Sequence, residues 1–200
     1  MAEKKSKNLL VAFVGPSCAG KSTCYEYALP ELVRLGYLAF RCDVAIPLRR
    51  IQQFAYRQFG LASPGYADVP TEFKQDGKLL AFLAKHFEER LGPRLAFEVE
   101  AIQTQNHQEL VAIINTDCRN NAYESLKKLG FVFVWVGASP NNLEKRRTER
   151  GDLTPFNPEA TVEQTGHIHP RHYIFNNGTK EGLGDLVREI IRRIIQAGAL

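Results

Sequence analysis

A chain of 200 residues with 44% hydrophobic and 24% charged residues can bury one full core without disulfides or a structural metal. Its formal net charge of +4 suits a protein that handles anions and is too mild to argue for nucleic acid by itself. The four cysteines form no C-x-x-C pair, and the apolar run behind the charged start MAEKKSK is too short for a signal core or a membrane span. A soluble, reduced, cytoplasmic protein with no membrane partner is therefore expected.

The first predicted element is a strand at Leu9 to Val14. Its hydrophobicity is continuous rather than alternating, which fits a strand buried on both faces of a parallel sheet. Then comes GPSCAGKST, residues 15–23, which matches G-x-x-x-x-G-K-[ST] between a strand and a helix. The bare backbone through Gly15, Ala19 and Gly20 lets N–H groups turn inward on phosphate oxygens, and the helix N-terminus adds partial positive charge. Lys21 can reach the β- and γ-phosphates, Ser22 can ligate Mg²⁺, and Thr23 can contact the α-phosphate. The competing reading, a glycine turn with an incidental lysine, leaves the coincidence of strand, spacing, lysine and hydroxyl unexplained.

The helix runs from Lys21 to about Leu35 and is closed by Gly36. A second strand spans 37–43, and Pro47 starts a helix that ends at Gly60. Residues 62–70 are a Pro- and Gly-rich loop; a helical pattern follows from Thr71 to about Gln105, broken at Gly92-Pro93. A third buried strand covers 109–117, a helix Ala122 to Leu129, and a fourth strand 131–137. Asn141 to Arg150 is basic and helical, and 151–170 has little apolar periodicity. A fifth strand at 171–177 and a helix from Glu181 to Ile195 complete the chain. Alternating strands and helices predict one α/β domain over 1–200, with a five-stranded parallel sheet flanked by helices.

Such sheets bind ligands at the carboxyl ends of their strands. Asp43 lies at one such end, where it can hold a sugar hydroxyl or accept a proton; a helix cap is the alternative. Asp117 lies at another, where a carboxylate can hold a water of the Mg²⁺ shell, or merely shape a turn. Arg119 and the turn Asn176 to Gly178 also fall at strand ends. Arg146, Arg147 and Arg150 open a candidate lid over 146–170, from which Arg146 and Arg150 can bring positive charge to a moving phosphoryl group. Arg49 and Arg50, near a helix start, can bind an acceptor's phosphate or be ordinary surface charge. The stretch 44–108 is expected to form a helical acceptor-binding region. Its aromatics Tyr56, Phe59, Tyr66 and Phe73 can stack on a base, although the helical spacing of Tyr56 and Phe59 is more often that of core residues.

Four segments, GPSCAGKST, CDVAIPLRRIQQFAYRQFG, NTDCRNNAYESLKKLG and HYIFNNGTKEGL, occur in an order that resembles the deoxynucleoside monophosphate kinase family of P-loop phosphotransferases. That layout is also similar to dephospho-CoA kinase, and the resemblance runs from about Leu9 to Ile195. It implies the P-loop kinase fold and transfer of the ATP γ-phosphate to a deoxynucleoside 5′-monophosphate with Mg²⁺. It further implies Asp117 and Arg119 at the active site, and Asn177 and Gly178 near the nucleotide base. The central helices around DGKLLAFLAKHFEERLGP offer no recognisable arginine for the acceptor. Two rivals stand beside this reading. One is a P-loop kinase acting on a hydroxyl of a nucleoside, of a hydroxymethylated base free or in DNA, or of another small alcohol; only it would bring a nucleic-acid partner. The other is a regulatory module that hydrolyses ATP slowly. A homodimer remains open.

Overall fold

Strand β1, Leu9–Val14, is buried along its whole length and occupies the centre of a five-stranded parallel sheet of order β2-β3-β1-β4-β5. The computed structural model describes residues 8–59, 76–150 and 164–198. Among these, β2 is Tyr37–Arg41, β3 Leu110–Asn115, β4 Val132–Gly137 and β5 His172–Phe175. The helices are α1 Lys21–Arg34, α2 Ile46–Gln58, α3 Gly77–His86, α4 Glu88–Gln105, α5 Asn120–Lys128, α6 Pro140–Arg150 and α7 Lys180–Gly198. The expected α/β architecture is therefore the observed one. Alternate residues of β1 feed two cores. Leu9, Val11 and Phe13 pack with α1 and α7, while Leu10, Ala12 and Val14 pack with α4 and α5. A strand sandwiched this way has no polar face, which is why its sequence reads as an unbroken apolar run.

Two helix ends fall where the sequence places them. Gly36 and Gly130 follow α1 and α5 with φ of +84° and +90°, the left-handed geometry that stops a helix at little cost for glycine. The break expected at Gly92-Pro93 is a misreading. The chain instead turns at Phe87, between α3 and α4, and α4 continues through Pro93. Proline this close to a helix start gives up few intrahelical bonds, and Pro93 faces solvent. Gly92 is there for space: a Cβ would collide with Ser125 Oγ of α5, so its absence lets the two helices approach closely.

Of the stretch 44–108, α2, α3 and α4 are described. Phe59 is 79% exposed, against the expectation of a core position. Tyr56 is half-buried and donates its hydroxyl to Asp76 Oδ2 at 2.7 Å, which ties α2 to the start of α3. Tyr66 and Phe73 lie outside the described residues, as does 151–163 of the lid expected over 146–170; residues 146–150 belong to α6.

Helices α1 and α7 are braced through Glu31, whose carboxylate is buried and accepts from Arg34 and from Arg192, each at 2.7 Å. Those hydrogen bonds hold its carboxyl at about 2, well below the usual value of 4.5. A depressed carboxylate stabilises the fold above its unfolded pKa and loses that contribution as pH falls through the folded one. Glu31→Gln is therefore expected to cost about 1 kcal/mol at pH 7, the pair being weakened by solvent around the half-exposed arginines. Melting curves of the two proteins should converge as pH drops from 4.5 toward 2.

Candidate active site

The loop behind β1 takes backbone shapes that only small residues tolerate. Gly15 and Gly20 have φ of +133° and +100°, and a Cβ on either would collide, at Gly15 with the Val136 carbonyl oxygen and at Gly20 with Asn176 Nδ2. Cys18 is the one non-glycine residue with positive φ among the described residues, at +64°. The loop is anchored from behind: Asn176 Nδ2 donates to the Ala19 carbonyl at 2.9 Å, and Asn176 N to Gly137 at 2.7 Å. Ser22 and Thr23 stand in the first turn of α1, Ser22 exposed and Thr23 half-buried. A bare cradle of this kind, opening at a helix N-terminus, fits a row of phosphates.

Lys21 is folded back on that cradle and donates to the Gly15 and Pro16 carbonyls at 2.9 and 2.6 Å. Burial, and then the nearby Arg119 charge, lower its pKa from 10.5 to about 7. Phosphate oxygens would favour the ammonium form again, so binding of a nucleotide should take up a proton. The expected uptake approaches about one proton at pH 8 and is small at pH 6. Calorimetry in buffers of different ionisation enthalpy measures it, and Lys21→Met should abolish the uptake at pH 8.

The ends of β2 and β3 form one polar cluster. Asp43, fully buried, accepts from Thr116 N at 2.7 Å, from Thr116 Oγ1 at 3.0 Å and from Arg41 Nε at 2.6 Å. Burial, reinforced by the neighbouring Asp117 charge, raises its pKa from 3.8 to about 6 despite the Arg41 ion pair. Asp43 thus does not cap a helix. Helix α2 has no side-chain cap; Asp117 instead holds the backbone ahead of it, its two oxygens accepting from Val44 N and Ala45 N, each at 2.7 Å. Asn115 Oδ1 accepts from Asp117 N and Cys118 N and shapes the next turn. Arg119 is brought beneath the phosphate loop, with Nη1 on the Gly15 carbonyl at 3.1 Å.

Arginines of α6 lean on the same loop. Arg146 donates to Asn176 O at 3.0 Å and, at 3.5 Å, to Cys18 O; Arg150 donates to Ser17 Oγ at 3.1 Å. Asn177 Oδ1 accepts from Ser139 N at 2.7 Å, so the turn through Gly178 is tied to the start of α6. Arg49 is half-buried in the first turn of α2 and Arg50 is exposed. Two residues that sequence reasoning passed over belong here. Arg94 Nη2 donates to the Asp43 carbonyl at 3.0 Å while Nη1 pairs with Glu98, which supplies from α4 an arginine that the central helices seemed to lack. Arg41, read only as a strand residue, binds Asp43 and Thr116. Its position as the last residue of β2, at the ligand-binding edge, was the available signal.

No family model matches the chain, and no curated protein matches it in sequence. Solved structures do. Shikimate kinase from Acinetobacter baumannii, in complex with shikimate, superposes with a TM-score of 0.51 at 16% identity, covering 97% of each chain. An APS kinase from Mycobacterium tuberculosis, in complex with AMPPNP and APS, gives 0.49 at 14% identity over 95% of this chain and 98% of that one. A sugar kinase from a Janibacter species gives 0.48 at 13% identity over 96% and 99%. Identities this low speak to architecture alone, and not to the narrower deoxynucleoside monophosphate kinase family. With the glycine cradle behind its central strand, the chain has the fold of the P-loop kinases.

Proposed function

We propose that this protein is an ATP- and Mg²⁺-dependent phosphotransferase whose acceptor is a deoxynucleoside 5′-monophosphate. The observation that carries an anionic acceptor is at Arg49, in the first turn of α2, and at Arg94, whose guanidinium reaches the Asp43 carbonyl beyond β2. The Nε atoms of both are buried without a hydrogen-bond partner among the described residues. Buried guanidinium donors left open are costly, and a phosphate group satisfies them in the geometry they offer. A neutral alcohol oxygen can accept such a bond but brings no charge to match the guanidinium.

In this reading the cradle from Gly15 to Gly20 holds the donor's phosphates, with Lys21 on the β- and γ-oxygens and Thr23 near the α-phosphate. Mg²⁺, when bound, would neutralise charge that develops on the phosphates. Ser22 would ligate it, and Asp117 would hold a water of its shell through lone pairs not used on Val44 and Ala45. Arg119, Arg146 and Arg150 add positive charge around the phosphoryl group as its bond to the leaving oxygen breaks and the bond to the acceptor oxygen forms. Asn177 and Gly178 present backbone to the donor base. Asp43 orients the acceptor sugar, with Arg49, Arg50 and Arg94 on its phosphate. The setting expected for such chemistry is the cytoplasm.

A second reading, phosphorylation of a hydroxyl, draws support from Asp43 alone, because a carboxylate titrating at about 6 is poised as a general base. An ADP-release screen over deoxynucleoside monophosphates, nucleosides, modified bases and short DNA separates the readings. Phosphorus NMR of the product distinguishes a diphosphate from a monoester. Acceptor-independent ADP release alone would leave the slow ATPase.

A further inference from the structure

We infer that Arg41 is a positioning residue that occupies the metal's place in the nucleotide-free protein and leaves it when metal–nucleotide binds, which frees Asp43 for the acceptor. This rests on the reading of GPSCAGKST as a metal–nucleotide site. The Arg41 guanidinium joins three elements. Its Nε donates to Asp43 Oδ2 at 2.6 Å, and its Nη2 donates to Thr116 Oγ1 at 2.9 Å and, at a longer 3.4 Å, to the Ser22 hydroxyl. One monovalent cation thus lies between the hydroxyl expected to ligate Mg²⁺ and a carboxylate with no exposed surface.

Both cations are drawn to the Ser22 hydroxyl. Mg²⁺ binds oxygen at about 2.0–2.1 Å and keeps several waters. A guanidinium nitrogen 3.4 Å from the Ser22 oxygen would be a like charge close to an ion held there. The divalent ion arrives with the nucleotide's phosphates, so its hold there is the stronger. Arg41 has somewhere to go: its Cζ is already 5.4 Å from the centroid of the Tyr25 ring on α1, within cation–π range. Asp43 does not collapse when Arg41 departs. Thr116 N continues to hold Oδ1, and the Thr116 hydroxyl lies 3.0 Å from both oxygens, while Oδ2 loses its charged partner and opens toward an acceptor. Order of binding follows, metal–nucleotide first and acceptor second.

The Arg41 Nε–Hε signal in ¹⁵N NMR, assigned with Arg41→Lys, reports the Asp43 contact in the wild-type protein. Mg²⁺–AMPPNP should shift it and speed its exchange with water; AMPPNP with EDTA should leave it in place. In a separate titration of Mn²⁺ followed by electron paramagnetic resonance without nucleotide, Arg41→Gln should bind the ion at least about tenfold more tightly than wild type, since one like charge has gone. Arg41→Lys should stay close to wild type. An unmoved Hε signal when calorimetry confirms Mg²⁺–AMPPNP binding would overturn the inference, as would equal Mn²⁺ affinity in wild type and a folded Arg41→Gln. Should Arg41→Gln fail to fold, the wild-type NMR experiment decides alone. A protein that binds no AMPPNP would defeat the donor-site reading, and the Mn²⁺ titration would then decide the role of Arg41.

Discussion

Lys21→Ala is expected to slow single-turnover phosphoryl transfer by at least about 10²–10³-fold, the loss typical of removing one preorganised charge from a transition state. Its melting temperature should change little. Burial already lowers the ammonium's pKa to about 7, so its removal relieves a desolvation cost, and Arg119 still donates to the Gly15 carbonyl. Turnover and calorimetric melting measured on the same preparation separate lost chemistry from lost fold. A folded variant with near-normal turnover would remove the donor site from the cradle.

Asp43→Asn has the second largest expected effect, and its form tells the two acceptor readings apart. With a monophosphate acceptor, the variant should raise the acceptor's KM by about tenfold or more, the loss of one hydrogen bond to a charged group. The acid limb of the pH profile should survive, because it belongs to the acceptor phosphate's own ionisation near pH 6. With an alcohol acceptor, the loss should reach about 10²–10⁴-fold in the transfer step, and the limb, now that of Asp43 itself, should vanish. Stability supplies a check on the titration. A carboxyl whose folded pKa lies near 6 and unfolded pKa near 3.8 makes the native state take up a proton between those values. Wild type should therefore gain stability relative to Asp43→Asn as pH falls from 6 toward 4. A flat difference would mean that Asp43 titrates normally.

Much of this molecule is written in local patterns. The double burial of β1, the glycine cradle and the stops at Gly36 and Gly130 each depend on a few adjacent residues, so a linear reading finds them. What it misses is made across the sheet. Arg94 meets Asp43 from a helix packed over the strand ends, and Arg41 meets Thr116 because β2 and β3 run side by side. Arg94 also lay just beyond Gly92-Pro93, whose apparent break hid that α4 carries it inward. Asp117 and Asp43 were both legible as acids at strand ends. Which of them would hold the backbone ahead of α2 and which would be buried beside a guanidinium depended on neighbours distant in the chain. Phe59 went wrong for a related reason: helical spacing identifies a face without saying what lies against it.

The place of β1 in the sheet also bears on how the chain reaches its fold. Leu9 pairs with Ala112, and Val11 with Val132, so neither neighbour of the central strand is local to it. During synthesis at about 5–20 residues per second, the strand LLVAFV would leave the ribosome on the order of 5–20 s before β3 exists to receive it. Contacts of such high sequence separation slow folding and lengthen the interval in which a sticky strand is bare. The segment that carries the phosphate cradle is thus also the one most exposed to misassembly, and the nascent chain is expected to lean on chaperones until residue 115 has emerged.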